Sequence, residues 1–136
     1  MIFLDSSVII AFKNDDDVNH EKAQALISKI HEGEYGPAVI TELVFAEVVT
    51  VLLLKKGLQA AVEVGDILRE AKEVSTIKAS TLFEKAWEVF KEQKKGVQFS
   101  FVDASTIACL RERSIKYIAT FDRDFEKVDG IKVVSD

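Results

Sequence analysis

The sequence predicts an α/β fold built on a parallel sheet, and three observations support this. Short apolar runs alternate along the chain with longer stretches whose apolar residues recur at helical spacing, as in βαβ units. The length of 136 residues corresponds to a single domain spanning 1–136. Hydrophobic residues make up 48% and charged residues 30%, which suits a globular core and excludes a disordered or collagen-like chain.

Glycines and polar runs separate the elements predicted in the first half of the chain. Ser6 and Ser7 are expected to cap a first short helix that runs through Phe12. Gly33 and Gly57 follow the next two helical patterns and are expected to end them. The predicted elements are a strand over 2–4, a helix from 6 to 12, a helix over 19–31, a strand over 38–40 and a helix over 41–56.

Two capping patterns mark the helices predicted in the second half. Thr81 and Glu84 have the spacing of a capping box and predict a helix that ends before Gly96. Ser100 and Asp103 have the same spacing and predict the start of another helix. The remaining predicted elements are a helix over 58–72, a strand over 74–78, a helix over 100–113, a strand over 116–119 and a strand over 131–134.

Charge and cysteine content exclude several kinds of site. The chain has 18 Lys and Arg against 23 Asp and Glu, a net charge of −5, so it is no plain electrostatic clamp for nucleic acid. Nucleic acid remains possible as a substrate because bound cations can reverse the local sign. Cys109 is the only cysteine, which excludes an internal disulfide and a Cys-based zinc site. We expect no signal peptide, no membrane span and a cytoplasmic location.

Two carboxylates come directly after predicted strands. Asp5 ends the first strand, and Asp122 follows the strand over 116–119. In parallel α/β sheets, ligands bind where the carboxyl ends of the strands meet. The two side chains are therefore expected at one edge of the sheet, although each could also be an ordinary capping or turn residue.

Glu47 is the most informative carboxylate. The helix over 41–56 is predicted to be mostly buried, and burying an unpaired charge is costly. The neighbours of Glu47 on the helix wheel are Leu43, Val44, Val51 and Leu54. Glu42 competes for the same role, but its place in the first helical turn is explained by the helix dipole and solvent. A Lys or Arg partner inside the fold is the simpler alternative for Glu47.

Asp103 completes a set of four acids, with the simpler alternative that it only caps its helix. Four carboxylates that converge without a cation would repel one another and raise each other's pKa. Oxygen ligands of this kind suit Mg²⁺ or Mn²⁺. The set therefore predicts a metal site formed by Asp5, Glu47, Asp103 and Asp122.

Four segments, taken in order, resemble the PIN-domain family, and most closely its VapC-type branch, the toxin ribonucleases of bacterial and archaeal toxin–antitoxin pairs. The resemblance covers essentially the whole chain, and it is the ordered set that is specific rather than any single segment. The segments are IFLDSS at 2–7, TELVFAEV at 41–48, SFVDA at 100–104 and IATFDRDF at 118–125.

The resemblance implies a three-layer α/β/α sandwich around a mainly parallel sheet. It carries the family's acidic positions onto the same four carboxylates and implies that they bind Mg²⁺ or Mn²⁺. Ser6 and Thr120 match the family's supporting hydroxyls, and Ser7 departs from the Asn that is frequent in this branch. Asp124 could add a ligand, although a solvent-facing position is the favoured interpretation.

The implied function is endonucleolytic hydrolysis of RNA that leaves 3′-hydroxyl and 5′-phosphate ends. No His, Ser or Lys nucleophile is needed if a divalent ion activates water. The resemblance also implies a homodimer and an antitoxin protein that silences the enzyme. Candidate RNA-binding residues, each of which could equally be solvated surface charge, are Lys13, Arg111, Arg113, Lys116 and Arg123.

Two other classes of function compete with the ribonuclease. A PIN-like scaffold that has lost catalysis would keep the fold, but the presence of all four acids argues against it. A phospho-receiver needs an acid after a middle strand and a late-strand Lys, which this chain matches poorly. A haloacid-type phosphatase would want Asp-x-Asp after the first strand, and Asp5-Ser6-Ser7 lacks it.

Overall fold

Five short parallel strands form the centre of the molecule. The computed structural model describes all 136 residues. The strands pair in the order β3-β2-β1-β4-β5, and each pair is parallel. Their bounds are β1 (Ile2–Leu4), β2 (Ala38–Thr41), β3 (Val74–Ile77), β4 (Tyr117–Ala119) and β5 (Lys132–Val134). The predicted α/β class with a parallel sheet is confirmed.

Six α-helices cover the sheet. The right-handed rule for parallel crossovers places the first four on one face and the last two on the other, which gives the α/β/α sandwich. The helices are α1 (Ser6–Lys13), α2 (His20–His31), α3 (Glu42–Lys56), α4 (Leu58–Glu70), α5 (Phe83–Lys91) and α6 (Phe101–Glu112). Short 3₁₀ helices span Ala79–Thr81 and Arg123–Lys127. None of the six α-helices combines the length and the hydrophobicity that a membrane span requires.

The strand order creates a crevice between β1 and β4. The chain leaves β1 toward β2 and β3, then returns to β4 on the other side of β1, so the winding direction reverses between these two strands. Ligands of open α/β sheets bind at such reversal points, beyond the carboxyl ends of the strands. Both strands are mostly buried because helices cover both faces, and Phe3 and Ile118 are fully buried.

Two local predictions are wrong. Ser6 and Ser7 do not cap α1: Asp5 occupies the N-cap position, and both serines lie inside the helix. Thr81 does not open a capping box, because its hydroxyl donates to the Lys78 carbonyl within the 3₁₀ turn. The next helix, α5, begins at Phe83 without a side-chain cap and ends at Lys91.

Helix α3 is less buried than its composition suggests. Only Val44, Val48 and Leu52 are fully buried along it, and Leu54 is 80% exposed. The predicted start is otherwise accurate, since the Thr41 hydroxyl accepts a hydrogen bond from the Val44 amide. The apolar residues of α3 therefore divide between the core and an exposed face.

Candidate active site

Asp5 is a buried carboxylate at the point where β1 passes into α1. Only 4% of the residue is exposed, and its side chain makes no N-cap hydrogen bond to α1. Its Oδ2 atom accepts hydrogen bonds from Ser7 Oγ and Thr120 Oγ1, both at 2.7 Å. Burial raises the pKa of Asp5, and repulsion from Glu47 adds to the rise. Asp5 therefore does not act as the helix cap that was its simpler explanation.

A hydroxyl network joins the ends of β1 and β4. Thr120 is fully buried, and its hydroxyl accepts from the Asp122 amide at 3.0 Å while donating to Asp5. Ser7 Oγ accepts from the Phe121 amide at 3.1 Å and also donates to Asp5. The network fixes the orientation of the Asp5 carboxylate. Ser7 was not predicted as a member of this network, although a hydroxyl two residues after a strand-end acid was a signal for it.

Glu47 reaches the same crevice from α3. It is half-buried, and it accepts a hydrogen bond from the Ser6 hydroxyl. Of its four predicted apolar neighbours only Val44 is fully buried, because Leu43 and Val51 are half-buried and Leu54 is exposed. What positions Glu47 is the Ser6 hydroxyl on α1.

The competing acid, Glu42, has a different role. It is exposed, and its Oε2 atom accepts a hydrogen bond from the Ala79 amide at 3.2 Å. This contact ties the start of α3 to the 3₁₀ turn after β3. Glu42 is therefore accounted for by local structure.

Asp103 is both a helix cap and a member of the acidic group. Ser100 Oγ accepts from the Asp103 amide and Asp103 Oδ2 accepts from the Ser100 amide, each at 3.0 Å, so the predicted capping box is confirmed. Burial raises the pKa of Asp103 to about 6, and repulsion from Asp5 and Asp122 contributes. The two explanations for Asp103 are therefore compatible.

Asp122 begins the 3₁₀ helix that follows β4. Its Oδ1 atom accepts from the Asp124 amide at 2.9 Å, which orients the side chain at the carboxyl edge. Asp124 itself forms an ion pair with Lys127 at 3.0 Å. This pairing favours a surface role for Asp124 over a ligand role.

The four acids lack cationic partners. None of the ion pairs in the structure includes Asp5, Glu47, Asp103 or Asp122. Their donor atoms are all oxygen, the type that Mg²⁺ and Mn²⁺ prefer, so the group fits such an ion in kind. No three His, Cys, Asp or Glu side chains close into a ready metal cluster. An ion would therefore have to draw the mutually repelling carboxylates together.

The candidate RNA-binding cations are scattered. Lys13 forms an ion pair with Glu63 at 2.8 Å. Arg111 lies in the last turn of α6, and Arg113 and Lys116 lie between α6 and β4, at the amino edge of the sheet. Arg123 alone among the five follows the carboxyl end of a strand, beside Asp122.

Comparisons with known proteins agree on one family. The PIN domain family model matches residues 2–131. The chain is 33% identical over 135 residues to the 23S rRNA-specific endonuclease VapC20 of Mycobacterium tuberculosis, covering 98% of both chains. It is 32% identical over 153 residues to the ribonuclease VapC6 of Methanocaldococcus jannaschii, covering 99% of this chain and 97% of the relative.

Solved structures show the same fold. The crystal structure of Mycobacterium tuberculosis VapC20, described as a sarcin–ricin loop cleaving toxin, has a TM-score of 0.82 at 29% identity and covers 93% of this chain and 94% of that one. A toxin–antitoxin complex from Klebsiella pneumoniae contains a chain with a TM-score of 0.66 at 17% identity, covering 98% of this chain and 96% of that one. The second likeness extends to the fold alone.

Proposed function

The chain belongs to the PIN-domain family, within its VapC-type branch, and we propose that it is a metal-dependent endoribonuclease. The proposal is supported by the absence of cationic partners for the four acids and by the repulsion that Asp5 and Asp103 experience from the others near the β1–β4 crevice. The relatives named as ribonucleases align with nearly the whole chain, which supports the same activity here. The resemblance found in the sequence is thereby confirmed at the level of the family.

Asp5, Glu47, Asp103 and Asp122 would hold Mg²⁺ or Mn²⁺. When bound, such an ion offsets the charge of the scissile phosphate and lowers the pKa of a water molecule that attacks it. The protein's own contribution is orientation. Ser7 and Thr120 hold the Asp5 carboxylate, and the Ser6 hydroxyl holds Glu47.

A water nucleophile is also favoured by the positions of the histidines. His20 Nδ1 lies 2.7 Å from the Ala11 carbonyl oxygen, and His31 lies near Glu73 at the surface. Neither is among the groups that contact the four carboxylates. The hydroxyls of Ser6, Ser7 and Thr120 are engaged with carboxylates, which suits support rather than nucleophilic attack.

The protein is also proposed to be the toxin of a toxin–antitoxin pair and to form a homodimer. An apolar cleft of about 700 Å³ lies between α1, α2 and α4, and its walls include Ile9, Phe12 and Ile27. Separately, Leu54 and Leu58 are 80% and 67% exposed where α3 meets α4. Large exposed apolar surfaces mark sites of protein association. The apolar cleft and the exposed leucines therefore support two separate partner surfaces, one for the antitoxin and one for a second copy of this chain.

The test is cleavage of two RNAs, one unstructured and one carrying the sarcin–ricin loop, in Mn²⁺, Mg²⁺ or EDTA. Wild type is compared with Asp5→Asn and Glu47→Gln, and Glu42→Gln is the matched control. We expect metal-dependent cutting that falls at least about 100-fold in the first two variants, because even outer partners of metal ligands cost 10–100-fold. The control should stay within about twofold.

Two results would contradict this function. Cutting that survives in Asp5→Asn or Glu47→Gln would show that the wrong acids are assigned. Absence of cutting of either RNA, with Mn²⁺ still bound by wild type, would favour the alternative of a catalytically inactive PIN-like scaffold.

A further inference from the structure

A polar cleft lies next to the four carboxylates, at the carboxyl ends of β4 and β5. Its volume is about 350 Å³, and Thr120 and Asp122 form the wall that it shares with the site described above. Arg123 comes from the turn after β4, and Lys22 and Asn19 come from the start of α2. Residues far apart in the chain therefore converge on a cavity beside the proposed metal position.

The two cations of this cleft are free of ion pairs. Lys22 and Arg123 are exposed, and no carboxylate lies within salt-bridge distance of either. By contrast, Lys13 and Lys56 are held by acids of their own. An unpaired lysine and an unpaired arginine facing one cavity suit an anionic ligand, and the guanidinium fork matches phosphate oxygens.

The start of α2 lies beside the same cleft. Asn19 occupies the N-cap position, but its side chain makes no hydrogen bond to the first amides of the helix. Such amides favour anions when a ligand approaches them. Glu126 also lines the cleft, and its negative charge weakens the binding of an anion there. Removing that charge is therefore a test of anion binding by the cleft.

We propose that this cleft binds the sugar–phosphate backbone of the RNA strand immediately beside the scissile bond. The proposal rests on the ribonuclease function above, because a strand cut at the carboxylates has to continue along the surface next to them. The cleft shares the wall formed by Thr120 and Asp122 with the carboxylate site. It is therefore a polar surface next to that site, and it carries unpaired cations. Lys22 and Arg123 are then positioning residues, which hold substrate without taking part in bond breakage.

The experiment measures binding of a fluorescein-labelled single-stranded RNA by anisotropy, in EDTA so that no cutting occurs. Wild type is compared with Lys22→Gln, Arg123→Gln and Glu126→Gln, and Lys29→Gln in the last turn of α2 is the matched control. Each lost phosphate contact should weaken binding about fivefold at about 0.1 M salt, and should reduce the slope of log K against log salt by about 0.7. Glu126→Gln should bind more tightly than wild type.

A cleavage assay in Mn²⁺ separates this inference from the function it rests on. Lys22→Gln and Arg123→Gln should raise KM about fivefold and leave kcat within about twofold, since they remove binding but no chemistry. If wild type cuts RNA but neither variant changes the affinity, the salt slope or KM, the cleft is not the backbone site although the ribonuclease stands. Equal losses in Lys29→Gln would also overturn the proposal, and if wild type neither binds nor cuts RNA, both proposals fail.

Discussion

The two edges of the same sheet are built in opposite ways. At the carboxyl edge, Asp5 and Thr120 are buried, and neighbouring acids repel Asp5 and Asp103. No lysine or arginine pairs with the carboxylates there, and burial raises the pKa of Asp5 and Asp103. In the absence of a cation, this edge opposes folding.

At the amino edge, the charged groups have contacts with a carbonyl or a ring, and the aromatic rings pack together. The Met1 ammonium donates to the Tyr35 carbonyl at 2.8 Å. The rings of Tyr35 and Tyr117 lie 5.4 Å apart, and Lys132 Nζ lies 5.9 Å from the centre of the Tyr117 ring. Aromatic pairs and cation–π contacts of this kind stabilise a fold by about 1 kcal/mol each.

The difference indicates how the molecule divides its tasks. At their carboxyl ends the strands lead into acids that have no cationic partners. At their amino ends they lie among groups that are hydrogen-bonded or packed against a ring. Functional sites commonly lower stability in this way. Changes at the carboxyl edge should therefore alter activity most, whereas changes at the amino edge should alter stability alone.

Outside the four carboxylates themselves, the largest effect is expected from Thr120→Val. The change removes the hydroxyl that donates to Asp5 and accepts from the Asp122 amide. Loss of a partner to a metal ligand lowers activity about 10- to 100-fold, and leaving buried polar groups unpaired costs about 1–3 kcal/mol. Initial rates of RNA cleavage and denaturant unfolding measure the two losses.

Thr120→Ser is the matched control for that experiment. Serine keeps the hydroxyl and loses only a methyl group, so it should recover most of the activity. Equal loss in Thr120→Ser and Thr120→Val would show that packing, rather than the hydroxyl network, supports the carboxylates.

An intermediate effect, on stability alone, is expected from Tyr35→Ala at the amino edge. The variant loses a half-buried ring and its contact with Tyr117, at a cost of about 1–3 kcal/mol in the free energy of unfolding. Below its melting temperature, its kcat should match that of wild type within about twofold. A drop in kcat as large as that of Thr120→Val would mean that the two edges are not independent.

The smallest effect is a pH dependence of stability in EDTA. The pKa of Asp103 is about 6 in the folded chain against an ordinary 3.8, so the protonated carboxyl favours folding. This contribution is fully present below about pH 3.8 and is lost as the pH rises through about 6. We expect the melting temperature of wild type, relative to Asp103→Asn, to fall across this window.

The variant isolates the carboxyl because surface ion pairs such as Lys56–Asp15 are present in both proteins. Asparagine can still accept the hydrogen bond from the Ser100 amide, so the helix cap is retained. A difference in melting temperature that does not change with pH would remove Asp103 from the acidic group.

The sequence predicted the parts of this molecule that depend on local pattern. Uninterrupted apolar runs located β1 and β2, and Ser100 with Asp103 located the start of α6. The positions of Asp5 and Asp122 at strand ends placed both at one edge, because parallel strands share their carboxyl edge.

The parts that the sequence could not provide depend on tertiary packing. A helix wheel shows that α3 is apolar but not which side its neighbours cover, so the surroundings of Glu47 were misjudged. Lys22 lies far along the chain from Arg123, and only the folded arrangement brings both to one cleft. The Thr81 motif failed because its hydroxyl bonds to a nearer backbone carbonyl, a known competitor of helix capping.

The most direct test of the contrast between the edges is the melting temperature of wild type and Asp5→Asn, each in EDTA and in Mn²⁺. In EDTA the variant should melt higher, because it removes a charge that burial and Glu47 disfavour while its amide oxygen still accepts from Ser7 and Thr120. In Mn²⁺ the order should reverse, because only wild type binds the ion tightly. If Mn²⁺ raises both melting temperatures equally, or neither, the carboxyl edge is not a metal site.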